Sequence, residues 1–424
     1  MKTIEIKSTV NVGKAYDVIV AGAGVAGVAA AIQAKRHGKS VLLLEKMLTL
    51  GGLATAGLIN FFVPICNGRG TQIIKGMNDE FLKLSISMGY DSVPEAWKNG
   101  DHPVDYHTAR YVTRYSPNIC AMLLAQLVHS EGVDLLLDCV ASEPVMKGNH
   151  CEGLVVQTKG GRVFYPGKVI IDCTGDADIL ARAGVPTILG TNFFTYGGRQ
   201  ITMETCKKAL QTGDIQDAME GISGGGINLY GHGQPDDVPL YTGVTSEEIT
   251  DYILRNQKIM LDKLKETDRK SREVAMLPTM PQFRTTRRIE GDYTLTEQDA
   301  YRHFDDSIAA ICDFDRYDYL YEVPYRTLLC SKFDNLLTAG RSAAGVGYAW
   351  DILRVIPPAI VTGQAAGAAA VLAIEQNVSV ADVHMPTLQA RLAAANVMIH
   401  FDDGLIPSEA VAKGYTPVPD YVHN

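Results

Sequence analysis

Residues 16–46 read YDVIVAGAGVAGVAAAIQAKRHGKSVLLLEK, and the fold turns on this stretch. A short β-branched run over 17–21, a glycine cluster, a helix of small residues and a second apolar run over 41–44 predict strand, turn, helix and parallel strand. Gly22, Gly24 and Gly27 fall in the G-x-G-x-x-G spacing. The first permits a tight turn, the second lets a pyrophosphate approach the backbone, and the third lets the helix lie close on the strand. The helix expected over 25–37 aims its free amides and positive dipole end at that pyrophosphate, with Ala26 in its first turn. Glu45 closes the second strand at the spacing of a carboxylate that accepts from a ribose hydroxyl, and Lys46 follows it. Glycine-rich turns recur by chance, but here strand, glycines, helix, strand and terminal acid arrive in order. The stretch therefore reads as a dinucleotide-binding βαβ unit.

The chain has 424 residues, enough for two or three domains. Its 39 Lys and Arg against 48 Asp and Glu give a net charge of −9, which argues against a general nucleic-acid partner. The first fourteen residues, MKTIEIKSTVNVGK, lack the apolar core and small-residue cleavage site of a secretory signal, so a cytoplasmic location is expected. Eight cysteines are scattered, without a C-x-x-C pair or a Cys/His cluster at metal-ligand spacing. Buried reduced thiols and no metal are the expectation. Residues 355–374 are nearly all apolar and carry Gly363 and Gly367 in G-x-x-x-G spacing, as some membrane spans do. Pro357, Pro358 and Gln364 interrupt the run, and charge does not flank it, so a buried helix on a sheet is expected and no membrane partner. A homo-oligomer is compatible with all of this.

Beyond Glu45 the chain continues MLTLGGLATAGLIN over 47–60. Together, DVIVAGAGVAGVAAA, LLLEK and GGLATAGL resemble the FAD-dependent oxidoreductases of the glutathione-reductase-like superfamily. More narrowly they resemble a bacterial family of FAD-dependent oxidoreductases distantly related to fumarate reductase flavoproteins. The resemblance implies FAD as cofactor and places Gly51, Gly52, Leu53, Ala54 and Thr55 beside its pyrophosphate and flavin. It implies an α/β fold: a Rossmann-like FAD-binding domain with a parallel sheet and a β-meander, interrupted by an inserted α+β substrate or cap domain. The corresponding divisions are 1–190, 191–319 and 320–424. A hairpin over 153–165 turning at Gly160 and Gly161 fits the meander, with Val140 where members contact adenine. A returning strand over 169–172 opens into Thr174, Gly175 and Asp176, which the resemblance sets under the nucleotide. A helix cap for 177–183 would account for Asp176 almost as well. Gly340 and Arg341, after a last parallel strand over 335–339, are implied to touch the ribityl and phosphate portion, with Ile352 and Leu353 in the loop before the final helix.

The insert carries FRTTRRIEGDYTLTEQD over 283–299, similar to the family's R-x-T-R-R-x-x-G-x-Y-x-L-T motif. On a strand, Arg284, Thr286 and Arg288 would share one face, and Thr285 and Arg287 the other. One face could reach a pocket while the other pairs with Glu290 or Asp292. Arginines suit an anionic substrate or a reduced flavin, and a salt-bridge network locking the insert in place is the competing explanation. Thr296 and Asp299 predict a cap for a helix over 301–311. The chain has Gly347-Tyr348 where many relatives have a histidine-glutamate pair, and Asp351 where they have glycine. Arg287, Arg288, Tyr348, Asp351 and Arg354 are therefore the candidates for holding substrate or moving a proton. The final helix, expected from near Pro358, would aim its dipole at the flavin pyrimidine.

A second G-x-G-x-x-G is absent from the sequence, as is C-x-x-C, so a nicotinamide domain and disulfide-reductase chemistry are not expected. The expected activity is hydride transfer between flavin N5 and a small organic substrate, anionic or a polyol. Electron relay to a protein partner is the alternative, and a flavin-dependent nucleic-acid modifier is disfavoured by the acidic balance.

Overall fold

The computed structural model describes residues 9–99 and 110–408. The largest sheet runs in the order Asp134–Leu136, Val41–Leu44, Tyr16–Ala21, Gly161–Asp172, His150–Thr158, Val140–Lys147, and Leu336–Thr338 and Asn11–Val12 also pair with Gly161–Asp172. Tyr16–Ala21 is parallel to both of its neighbours. Helices cover such a sheet on its faces, which is why its central strands are continuous apolar runs rather than alternating ones. The hairpin strand expected over 162–165 and the returning strand expected over 169–172 are one strand, Gly161–Asp172. It pairs antiparallel with His150–Thr158 as far as Pro166, then parallel with Tyr16–Ala21 from Gly167. A proline, which cannot donate to a ladder, sits where the partner changes.

The helices Val25–Arg36 and Ile356–Gln376 cross at close range. A Cβ on Gly363 would fall 2.1 Å from the Ala26 carbonyl oxygen, and one on Gly367 would fall 2.4 Å from that of Ala30. The G-x-x-x-G spacing thus serves the packing of two core helices. Ile356–Gln376 is the one helix among the described residues long and apolar enough to cross a membrane, and its most apolar window is entirely buried. It begins two residues before the expected start, and a short helix, Tyr348–Arg354, stands where a loop was expected. Further helices form over Met77–Ile86, Pro117–Ser130 and Ser246–Lys265. Part of the polar stretch 90–115 and the end of the tail lie outside the described residues.

In the insert, Thr195–Thr202 is the middle strand of an antiparallel sheet between Glu220–Gly226 and Arg272–Met276. The helix Ser246–Lys265 covers it through Tyr252, whose ring lies 4.7 Å from Phe283 and 5.4 Å from Tyr241. The helix expected over 301–311 is not formed. The Thr296–Asp299 capping box is made but opens only the 3-10 turn Glu297–Asp299. Ser307–Cys312 is instead a fully buried strand paired with Leu320–Pro324. A short, continuously apolar run fits a buried helix or a buried strand equally well, and here tertiary pairing chose. This hairpin straddles the expected division at 319/320, and its strand Ser307–Cys312 packs on the final helix.

Candidate functional site

Each glycine of the first turn meets a different constraint. Gly22 has φ +97°, and a Cβ there would lie 2.4 Å from the Cys173 carbonyl oxygen. A Cβ on Gly27 would lie 1.8 Å from the Gly22 oxygen, so this glycine is fixed by helix-on-strand packing. A Cβ on Gly24 would meet nothing within 4 Å. The helix makes its first i to i−4 bond from Val28 N–H to Gly24 O, 2.9 Å, so the amides ahead of it belong to the donor-rich helix start. Gly51 N–H donates to Ala23 O at 2.8 Å, and a Cβ on Gly52 would lie 3.2 Å from Gly24 Cα, which stacks the second glycine pair on the first turn. Glu45 accepts from Ala23 N–H and Met47 N–H, both at 2.8 Å. A carboxylate offers about four acceptor sites, so Glu45 retains capacity for hydroxyl donors.

These elements open onto a cleft of about 370 Å³. Gly22, Gly24, Ala26, Glu45, Lys46, Gly51, Gly52, Leu53, Ala54, Val140, Thr174, Gly175, Gly340, Arg341 and Arg354 all line it. Arg341 is held from three segments: its Nε donates to Gly175 O (2.8 Å), Nη1 to Phe283 O (2.6 Å) and Nη2 to Asp176 Oδ1 (2.7 Å). Gly340, at φ +74°, donates its N–H to Thr362 Oγ1 at 2.9 Å, which fastens this turn to the final helix.

Other expected site residues are not on the lining. Gly27 packs beneath the turn, Thr55 is buried with its hydroxyl on Leu50 O, and Asp176 acts through Arg341. The helix-cap role considered for Asp176 belongs to Asp172. That buried carboxylate accepts from Ile179 N–H (2.8 Å) and Leu180 N–H (3.0 Å), and burial raises its pKa. Ile352 and Leu353 are fully buried in the core because the segment before the final helix is itself helical.

The proposed catalytic set does not converge. Tyr348 is fully buried and donates to Asp313 Oδ1 at 2.7 Å, with burial and then Asp313 raising its pKa far above the usual range. Asp351 is buried and paired with Arg354. The arginine stretch is a strand only over Arg287–Ile289, paired with Thr187–Leu189. Its three guanidiniums point into different surroundings. Arg284 donates to Asn228 O and Ile227 O, Arg287 lies 3.8 Å from Asp178, and Arg288 is buried 5.6 Å from the Trp350 ring. Arg354 alone of the five lines the cleft.

Sequence reasoning passed over Met47, Asp178, Arg182, Met280 and Ile356, which also line it. Burial, and then the neighbouring Asp176 charge, raise the Asp178 carboxyl pKa against the opposing pull of Arg182 and Arg287. Its place two residues after Asp176, at the start of the helix Asp178–Arg182, was the available signal. Met280 comes from the insert, and nothing local in the sequence marks it. Pro357 and Pro358 have no N–H, so the first turn of the final helix offers its dipole to the cleft with few donors.

A glycine turn with open space at Gly24, a donor-rich helix start, a buried acid at the end of the second strand and a second glycine pair fit an adenine dinucleotide cofactor. The sequence profile of the FAD dependent oxidoreductase family matches residues 17–224 and 234–392. The chain belongs to that family, and FAD is its cofactor. It is 29% identical over 197 residues to the NADH:fumarate oxidoreductase of Klebsiella pneumoniae, covering 38% of this chain and 20% of that protein. It is 34% identical over 80 residues to the thioredoxin reductase of Ureaplasma parvum, covering 19% of this chain and 26% of that one. The chain spans less than a third of the length of either relative. A geranylgeranyl bacteriochlorophyll reductase-like protein from Thermoplasma acidophilum aligns over 95% of this chain and 97% of its own, at 15% identity and a TM-score of 0.44.

Proposed function

We propose that the protein transfers a hydride between bound flavin and a small anionic organic substrate held between the cleft and the insert. The observation that carries this reading is a shared cleft lined by the first glycine turn, by Arg354 at the end of the short helix, by Ile356 at the start of the final helix, and by Met280 of the insert. When bound, FAD supplies the two-electron chemistry at N5. Gly24 and the helix start would hold the pyrophosphate, and Glu45 the ribose. Asp351 holds the Arg354 guanidinium at the cleft wall, where its positive charge would orient an anion or favour a reduced, negatively charged ring.

A second group of residues supports an anionic substrate. Arg199, on the middle strand of the insert, donates to Asn60 Oδ1 at 3.0 Å. Asn60 Nδ2 in turn donates to Tyr90 OH at 3.2 Å and to Tyr115 O at 2.6 Å. The Tyr115 hydroxyl donates to the carbonyl of Ala54, on the cleft lining, at 3.0 Å. Burial, then the like charge of Arg114, lowers the pKa of the Arg199 guanidinium. A half-buried guanidinium beside a like charge would be stabilised by a carboxylate bound against it.

Stopped-flow reduction of the flavin by a panel of small carboxylates and their neutral analogues tests the reading. Arg199→Met should raise KM for the reactive carboxylate about 10-fold or more, from loss of a charged hydrogen bond, at unchanged flavin content. If neutral analogues react as well as acids in the parent protein, the anionic reading fails. If no small molecule in either class exchanges electrons with the flavin, hydride transfer to a small substrate fails with it.

A further inference from the structure

Away from the cleft, His303, Glu322 and His400 bring three metal-ligating atoms together from three separate segments, all within 4.8 Å of one another. Glu322 lies on the strand Leu320–Pro324 and is fully buried. Its Oε2 accepts from Phe304 N–H at 2.7 Å. Its Oε1 faces Nδ1 of His303 at 2.6 Å and Nδ1 of His400 at 2.9 Å. The other ring nitrogen of His303, Nε2, lies 2.9 Å from Asp403 Oδ1.

The hydrogen-bond inventory of this cluster does not close with neutral side chains. A carboxylate only accepts, and a neutral imidazole carries one N–H. Both nitrogens of His303 face carboxylate oxygens, so one of them needs a further positive charge. His400 directs its own Nδ1 at the same Glu322 oxygen, and the two rings stand 6.1 Å apart. One imidazolium is enough for this: His303 protonated on both nitrogens donates to Glu322 and Asp403, while a neutral His400 donates its Nδ1–H to Glu322. A divalent cation is the other way to supply the positive charge, and the convergence of two imidazole nitrogens and a buried carboxylate oxygen within 4.8 Å is the geometry that favours it. His303 Nε2–H then donates to Asp403, the carboxylate–histidine–metal arrangement that fixes a ligating tautomer.

We propose that His303, Glu322 and His400 bind a Zn²⁺ ion, with Asp403 orienting His303. Two imidazoles and a carboxylate suit zinc better than the all-oxygen shells of magnesium or calcium. Half-exposed histidines leave the fourth position to water. None of the three ligands lines the cofactor cleft, so the ion acts on structure. It would pin the C-terminal segment carrying His400 and Asp403 to the buried hairpin beneath the final helix.

The test uses the full-length, FAD-loaded protein, stripped with a chelator and titrated with zinc chloride by calorimetry. The expected result is one zinc per chain, with affinity at least about 10-fold lower in His400→Ala and in His303→Ala. Zinc should also raise the thermal midpoint of the parent protein and leave that of His400→Ala unmoved. His400 is half exposed, so its variant tests the site without risk to the core. No saturable uptake by the parent protein, or uptake equal in parent and variants, would overturn the site.

Discussion

At Gly24 the demands of folding and of cofactor binding separate. Its φ of −63° lies in the region open to any residue, and a Cβ there meets no protein atom. Serine is a favoured N-cap residue, so Gly24→Ser should leave the apoprotein as stable as the parent or slightly more so. The added side chain occupies the approach to the backbone, so the purified variant should be pale, with a flavin-to-protein ratio far below that of the parent. Retention of full flavin would mean that the pyrophosphate lies elsewhere. Tyr348 makes the opposite case. The sequence offered it as a catalytic substitute because it falls where relatives carry acid-base residues, but burial against Asp313 makes it part of the core. Tyr348→Phe should destabilise the protein by about 1.5–3 kcal/mol, the worth of one hydrogen bond to a charged group, since Asp313 Oδ1 keeps the Asp315 and Arg316 amides as donors. Denaturant titration measures that loss, and the flavin reduction rate should not change. Residue identity and spacing exposed the glycines, because backbone geometry restricts which residue can stand there. They could not reveal the direction of a tyrosine side chain.

Between elements, two contacts set how the sheet and its helices register. Gly367 lets the final helix meet Ala30, and Gly367→Val would force its side chain into that carbonyl. A cost of about 1–3 kcal/mol or more follows from overpacking a tight crossing, and guanidinium denaturation should record it. Asp17 joins the starts of the first two strands through Ser40 N–H (2.9 Å) and Ser40 Oγ (2.8 Å), with Lys168 at 2.8 Å. Burial alone would raise its pKa, but Lys168 and Ser40 bring it down to about 2. A depressed carboxyl contributes fully above its unfolded pKa of about 4 and loses that contribution as pH falls toward 2. Asp17→Asn should therefore be less stable than the parent at pH 5, with the gap closing between pH 4 and 2. A gap constant over that window would show that the charge of Asp17 contributes nothing. The βαβ unit was legible in the sequence because period, glycine spacing and terminal acid agreed. Residues 301–311 were misread because the buried run Ile308–Cys312 carries no period, and the strand exists only through its partner.

Across the whole molecule, one cleft joins segments more than 300 residues apart, since Gly22 and Ile356 both line it. Removing FAD should therefore loosen both ends together. Hydrogen exchange should speed up in the glycine turn near 22–27 and in the segment 340–359 when the flavin is stripped, while the insert helix Ser246–Lys265 keeps its protection. Loosening of the first segment alone would show that the C-terminal half does not contact the cofactor. Holoprotein stability should rise with free FAD as ligand binding requires. The sequence by itself determined the nucleotide half of this protein. A strand, a turn that only glycine tolerates and a helix start are local structures, and local steric rules write them into residue order. Only the tertiary structure decided which arginine reaches the cleft, which acid caps the helix after Gly175, and that two histidines 97 positions apart share one glutamate. Those outcomes depend on side-chain direction and on the pairing of distant segments, and neither follows from spacing along the chain.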